Sequence, residues 1–229
     1  MKTIGLLGGM TSESSAEYYK LINQLTREKL GGNHSAKSVM VSVDFAEVEP
    51  MMESGKWNEV LDLIGNAASD IENGGADFLV ICTNTIHKLA DEISERISIP
   101  ILNIIDVTAD EIKRMGFEKV GLLGTRFTME QDFYKMRLKE KHGIESVIPD
   151  KSDRDIIHSV IMNELSVGVF TPESKRKYLE IITKLSKRGA EGVILGCTEI
   201  PLLVTENDTD IPLFDTTLLH AKAAVDPAL

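Results

Sequence analysis

Cys82 and Cys197 are the only cysteines in a chain of 229 residues, and each directly follows an apolar run. Phe78-Leu79-Val80-Ile81 precedes the first and Val193-Ile194-Leu195-Gly196 the second, and a threonine follows each cysteine. A thiol that exchanges with its thiolate near neutral pH can take a proton from carbon or return one. Two such thiols on opposite faces of one carbon are what inversion of a stereocentre requires. Each cysteine alone also reads as a small buried hydrophobe, and a disulfide between the two is a third reading. Helix N-termini after the cysteines are expected to lower both thiol pKa values from about 8.5 toward neutrality.

The elements that must position these thiols alternate short apolar strands with helical patterns, which indicates an α/β fold with parallel sheets. Strands are expected at 3–7, 38–43, 78–81, 101–102, 120–123, 192–195 and 213–214. Helices are expected near 14–29, 57–73, 85–96, 107–115, 130–141, 153–164 and 172–188. An internal repeat runs through them. Ile4-Gly5-Leu6-Leu7-Gly8 returns as Val120-Gly121-Leu122-Leu123-Gly124. Gly75-Ala76-Asp77 and its strand, ending in Cys82-Thr83, return as Gly189-Ala190-Glu191 and a strand ending in Cys197-Thr198. Ile99-Pro100-Ile101 returns as Ile211-Pro212-Leu213, and the spacing stays at about 115 residues. The chain therefore reads as two similar domains related by a pseudo-two-fold axis: 1–103 with a C-terminal return at 209–229, and 104–208. Ligands of parallel α/β sheets sit beyond the carboxyl ends of the strands, where both cysteines fall.

Other motifs fit a small anionic ligand and fit plain turns equally well. Gly8-Gly9-Met10-Thr11-Ser12 resembles an anion cradle at a helix start, or a tight turn with an N-cap. It lacks both the dinucleotide fingerprint and a Walker lysine. Asn84-Thr85 supply amide and hydroxyl donors, or cap a helix. His87 is expected to orient that turn, Lys88 to be solvated, and Asp215 and His220 to be structural. His34, His142 and His158 have no ligand spacing, so no metal is expected, and no lysine stands out as a pyridoxal-phosphate anchor.

Composition narrows the class further. The chain is 42% hydrophobic and 27% charged with a formal net charge of −11, which argues against nucleic acid as a partner. The apolar N-terminus is broken by glycines and reads as a first strand rather than a signal peptide, and no run approaches a membrane span. The expected location is the cytoplasm, where thiols stay reduced.

The motifs Gly8-Gly9-Met10-Thr11-Ser12-Glu13-Ser14, Cys82-Thr83-Asn84-Thr85-Ile86-His87-Lys88 and Gly196-Cys197-Thr198-Glu199-Ile200 resemble the cofactor-independent aspartate/glutamate racemases. Val43-Asp44-Phe45-Ala46-Glu47 and Phe214-Asp215-Thr216-Thr217-Leu218-Leu219-His220-Ala221 extend the resemblance over essentially the whole chain. It implies two Rossmann-like domains with the active site in the cleft between them, no cofactor, and a homodimer. It also implies that Cys82 and Cys197 are the catalytic acid and base. Met10, Thr11, Ser12, Asn84, Thr85 and Thr198 are implied to bind the amino acid, chiefly its α-carboxylate. The implied substrate is aspartate, or glutamate. At Met51-Met52 the chain departs from the family pattern, which carries a Gln or Arg there; Met52 cannot donate a strong hydrogen bond to a distal carboxylate, and Arg126 is a candidate substitute. Alternatives are a maleate-type cis–trans isomerase, a hydantoin racemase, a decarboxylase, or a non-catalytic two-lobed amino-acid-binding protein.

Overall fold

A computed structural model describes residues 1–229 and divides them into two compact units. The first comprises Met1–Asn103 and His220–Leu229. It contains β1 (Thr3–Gly8), α1 (Ser12–Leu30), β2 (Lys37–Ser42), α2 (Phe45–Glu53), α3 (Trp57–Asn73), β3 (Phe78–Ile81), α4 (Ala90–Ser94) and β4 (Ile101–Leu102). The second, Ile104–Leu219, contains α5 (Ile104–Arg114), β5 (Lys119–Gly124), α6 (Arg126–Glu130), α7 (Asp132–Met136), β6 (Glu145–Val147) and α8 (Lys151–Asn163). It continues through α9 (Pro172–Lys187), β7 (Gly192–Gly196), α10 (Ile200–Leu203) and β8 (Leu213–Asp215). From there α11 (Thr216–Val225) carries the chain back to the first unit.

Each unit holds one four-stranded parallel sheet, with strand orders β2-β1-β3-β4 and β6-β5-β7-β8. The orders are the same once each strand is matched to its repeat partner, so the sequence repeat is a repeat of topology. Between β1 and β3, and again between β5 and β7, the direction of winding reverses. Such a switch point is where open α/β sheets leave a crevice for ligands.

The central strands are buried on both faces and are therefore continuously apolar, as parallel strands covered by helices must be. In the second sheet, Val120, Leu122, Ile194 and Phe214 pack with Ile105 and Ile112 of α5 on one face. Their neighbours Leu123, Val193, Leu195 and Leu213 face Ile157 of α8 and Ile181 and Leu185 of α9 on the other. Each such leucine or isoleucine contributes about 1.5–3 kcal/mol through burial. A glycine sits at the same place in each leading strand because a helix lies close there. A Cβ on Gly5 would come within 2.4 Å of Ile71 of α3, and one on Gly121 within 2.9 Å of Leu185 of α9.

Several expected elements need correction. The return to the first unit begins at 220 and not at 209, because β8 is hydrogen-bonded to β7 and belongs to the second sheet. The helix expected at 85–96 is a 3-10 turn, Thr85–Leu89, followed by the short α4. The helix expected at 130–141 is broken at Gln131 and ends in a π-helical turn, Arg137–Lys141. No helix is long and apolar enough to cross a membrane.

Candidate active site

In the first unit, the loops after β1 and β3 emerge side by side, since Leu7 and Ile81 are register partners. The Cys82 N–H donates to the Leu7 carbonyl at 2.9 Å, which prolongs the pairing by one residue and fixes where the cysteine leaves the sheet. Its side chain is only 2% exposed, with Sγ 3.8 Å from the Val80 carbonyl oxygen. Two serines in the first turn of α1 tie the loops together. Ser14 Oγ donates to the Cys82 carbonyl at 2.7 Å. Ser15 Oγ accepts the Gly9 N–H at 2.7 Å and donates to the Thr11 carbonyl at 2.9 Å.

The turn itself requires glycine. Gly9 has φ +95°, and a Cβ there would overlap the backbone of Val43. Thr11 is the N-cap of α1, its Oγ1 accepting the Ser14 N–H at 3.3 Å. Met10 is buried, Thr11 half-buried, and Ser12 exposed with its hydroxyl donating to Glu13. Asn84 and Thr85 are both buried at the start of the 3-10 turn, and the Asn84 side chain is not spent on capping that turn. His87 orients the turn as expected, Nδ1 standing 2.8 Å from the Thr83 carbonyl oxygen, so that this nitrogen carries the hydrogen. Lys88, expected to be solvated, is half-buried, with its ammonium 4.2 Å from the centroid of the Trp57 ring. Met52 is buried on α2.

The second unit repeats the placement. Cys197 follows β7 beside β5, where Gly124 and Gly196 are register partners. It is half-buried, whereas Thr198 and Glu199 are buried. Cys197 Sγ lies 2.9 Å from Glu199 Oε2. Glu199 has no counterpart role in the motif reading, and a contact between residues two apart in a loop leaves no periodic signal to find it by. The loop after β5 supplies Thr125, which caps α6, and Arg126, which is exposed with its guanidinium 5.5 Å from the Phe127 ring centroid.

The expected lowering of both thiol pKa values is overturned. Burial pushes the Cys82 thiol well above the ordinary thiol range. Burial does the same to Cys197, reinforced by the charge and hydrogen bond of Glu199. The helical segments after the cysteines, a single 3-10 turn and the four-residue α10, are too short to offset that.

The family model for Asp/Glu/hydantoin racemase matches residues 7–224. The chain belongs to the Asp/Glu/hydantoin racemase family. It resembles the broad-specificity amino-acid racemase RacX of Bacillus subtilis, at 23% identity over 99% of this chain and 98% of that protein. Among solved structures it resembles a candidate Asp/Glu racemase from Yersinia pestis, with 49% identity, TM-score 0.93, and coverage of 100% of this chain and 99% of that one. It also resembles an aspartate racemase homologue from Pyrococcus horikoshii, with 34% identity, TM-score 0.87 and the same coverage. As a member of a racemase family the chain is an isomerase, and the two parallel four-stranded sheets are the architecture of these two-domain racemases.

Proposed function

We propose that this racemase inverts the Cα of an acidic amino acid, aspartate before glutamate, without a cofactor or metal, using Cys82 and Cys197 as the two proton carriers. The observation that carries the reading is the placement of one free cysteine at the same strand end of the same topological switch in each repeat. One sulfur, as thiolate, takes the Cα proton; the other, as thiol, delivers a proton to the opposite face. The electron pair left on Cα spreads into the α-carboxylate, which preorganised donors stabilise best. In this reading those donors come from the Met10-Thr11-Ser12 turn, Asn84, Thr85 and Thr198. The two sulfurs titrate as one coupled system. The aspartate racemase homologue supports an acidic substrate. The protein acts in the cytoplasm as a homodimer.

A second substrate reading has its own support. Met52 is apolar and buried, and the Bacillus subtilis relative is a broad-specificity racemase, so neutral amino acids belong in the assay. A panel resolved by chiral chromatography, in chelator-treated buffer free of pyridoxal phosphate, ranks them. Neutral substrates outpacing both acidic ones by tenfold, about 1.4 kcal/mol in the barrier, would reassign the side-chain pocket.

Deuterium tests the mechanism. In D2O the wild type is expected to label both enantiomers while inverting them. Cys82→Ser and Cys197→Ser, each confirmed folded by circular dichroism, are expected to lose racemisation by at least a hundredfold. Each retains slow exchange into one enantiomer, a different one for each variant. A folded single variant that racemises at the wild-type rate refutes the two-thiol reading.

A further inference from the structure

Inversion between two thiols needs one thiolate opposite one thiol, yet burial holds both cysteines protonated. A proton must therefore leave one of them before the first turnover. The contact of Cys82 Sγ is the backbone carbonyl of Val80, which is no base at working pH. Cys197 is placed differently, with a carboxylate oxygen of Glu199 2.9 Å from its sulfur.

The other ionisable groups near Cys197 are otherwise engaged. Tyr178 on α9 interacts electrostatically with Cys197, Glu164 and Glu199, but its hydroxyl donates to the Ile157 carbonyl at 3.2 Å, and burial keeps the phenol neutral. Glu164 accepts the hydroxyls of Ser174 at 2.7 Å and Thr171 at 3.3 Å. Glu199, itself only 5% exposed, is the carboxylate that meets the sulfur.

We propose that Glu199 is the proton acceptor for Cys197, so that the second unit carries a thiol–carboxylate pair where the first carries a thiol alone. This rests on the two-thiol reading and adds its proton balance. The Cys197 S–H bond breaks and an O–H bond forms on Glu199, leaving a thiolate beside a neutral carboxylic acid. The thiolate takes the substrate proton, breaking Cα–H and remaking S–H on Cys197. The carbanion pair takes the Cys82 thiol proton on the opposite face, forming the new Cα–H and leaving Cys82 as thiolate. The three groups hold as many protons as before, and the negative charge has moved from Glu199 to Cys82. The opposite enantiomer runs the same steps backward.

The two enantiomers have equal free energy, so kcat/KM is equal in both directions for any variant. The asymmetry is read on the thiols instead. Iodoacetamide alkylation of each cysteine, resolved by peptide mass spectrometry, is measured against pH for the wild type, Glu199→Gln and Glu199→Asp, beside kcat/KM. In the wild type, Cys197 is expected to react with a midpoint well above the ordinary thiol value of about 8.5. Glu199→Gln is expected to speed Cys197 alkylation at pH 8 at least threefold while kcat/KM falls at least tenfold. Cys82 alkylation stays unchanged, and Glu199→Asp restores part of kcat/KM. A merely structural glutamate, once lost, would raise the Cys197 alkylation rate at every pH and leave its midpoint in place, whereas loss of the charge beside the sulfur lowers that midpoint.

Unchanged kcat/KM in Glu199→Gln, or Cys197 alkylation that is unchanged or slowed, overturns the assignment. If that variant does not fold, the wild-type curve decides, and a Cys197 midpoint near 8.5 overturns it. Failure of the two-thiol reading appears separately, as a Cys197→Ser variant that still racemises.

Discussion

His220 stays neutral because the fold leaves no room for its charge. It is fully buried, with Nδ1 2.9 Å from the Tyr18 hydroxyl and Nε2 2.8 Å from the Leu102 carbonyl oxygen. The carbonyl can only accept, so Nε2 carries the hydrogen and Nδ1 accepts from the tyrosine. Burial first, and then the charge of a protonated His87, lower its pKa to about 3. The unfolded chain takes up this proton below about pH 6.5, while the folded one does not until about pH 3. Between those values the unfolded state binds more protons, so stability is lost as pH falls through that window. The urea midpoint is expected to drop on going from pH 6.5 to pH 5, with a contribution from this histidine of up to about 1.4 kcal/mol per pH unit. His220→Gln, which keeps a polar side chain in place, should flatten that slope; an unchanged slope would assign it to other groups.

At the scale of elements, Asp106 ties α5 to the irregular segment after α7. It accepts two hydrogen bonds from Arg137 at 2.8 Å, one from Lys141 at 2.6 Å, and meets His142 Nε2 at 2.8 Å. Burial opposes its charge, but these three partners outweigh it and hold the carboxyl well below the usual carboxylate range. Its contribution is present above about pH 4 and is lost as pH falls further. Asp106→Asn is expected to cost about 1–3 kcal/mol by chemical denaturation at pH 7, and the difference from wild type should shrink below pH 4. A loss that persists undiminished in acid would point to packing instead. That segment was poorly legible in the sequence. Residues 130–141 carry a helical pattern that shows neither the extended Gln131 between α6 and α7 nor the π-helical turn whose Arg137 and Lys141 meet Asp106. The three-residue edge strand β6 and α2, with Pro50 inside it, are too short for periodicity to reveal. The central strands were legible because double-sided burial makes them continuously apolar. Cys82 and Cys197 stood out because strand ends mark chemistry in this class of fold. Ser14, Ser15 and Glu199 did not, because serines at a helix start read as caps and the glutamate contact has no sequence pattern.

At the scale of the whole molecule, the repeat is complete in topology but not in chain continuity. The core of the first unit draws on two separate stretches of the sequence. Ala221, Ala224 and Val225 of α11 pack with Ile4, Leu6, Tyr18, Phe78 and Val80, and the Lys2 N–H donates to the Ala228 carbonyl at 2.8 Å. Removal of residues 220–229 is expected to leave the second unit cooperative while the first loses protection from hydrogen exchange in β1 and β3. Uniform protection in the truncated chain would show that those ten residues are dispensable.

That discontinuity imposes an order of biogenesis. On the ribosome, residues 1–103 emerge first, but the side chains that finish their core come only after the entire second unit has been synthesised. At roughly 5–20 residues per second this is a wait on the order of 10 s. Throughout it, that face of β1 and β3 has α1 but not α11 as cover, whereas the second unit is one continuous stretch of chain. The second unit therefore has its whole sequence before the first does. Chaperone capture would then concentrate on the strands around Cys82, which ribosome-profiled crosslinking at successive chain lengths can map.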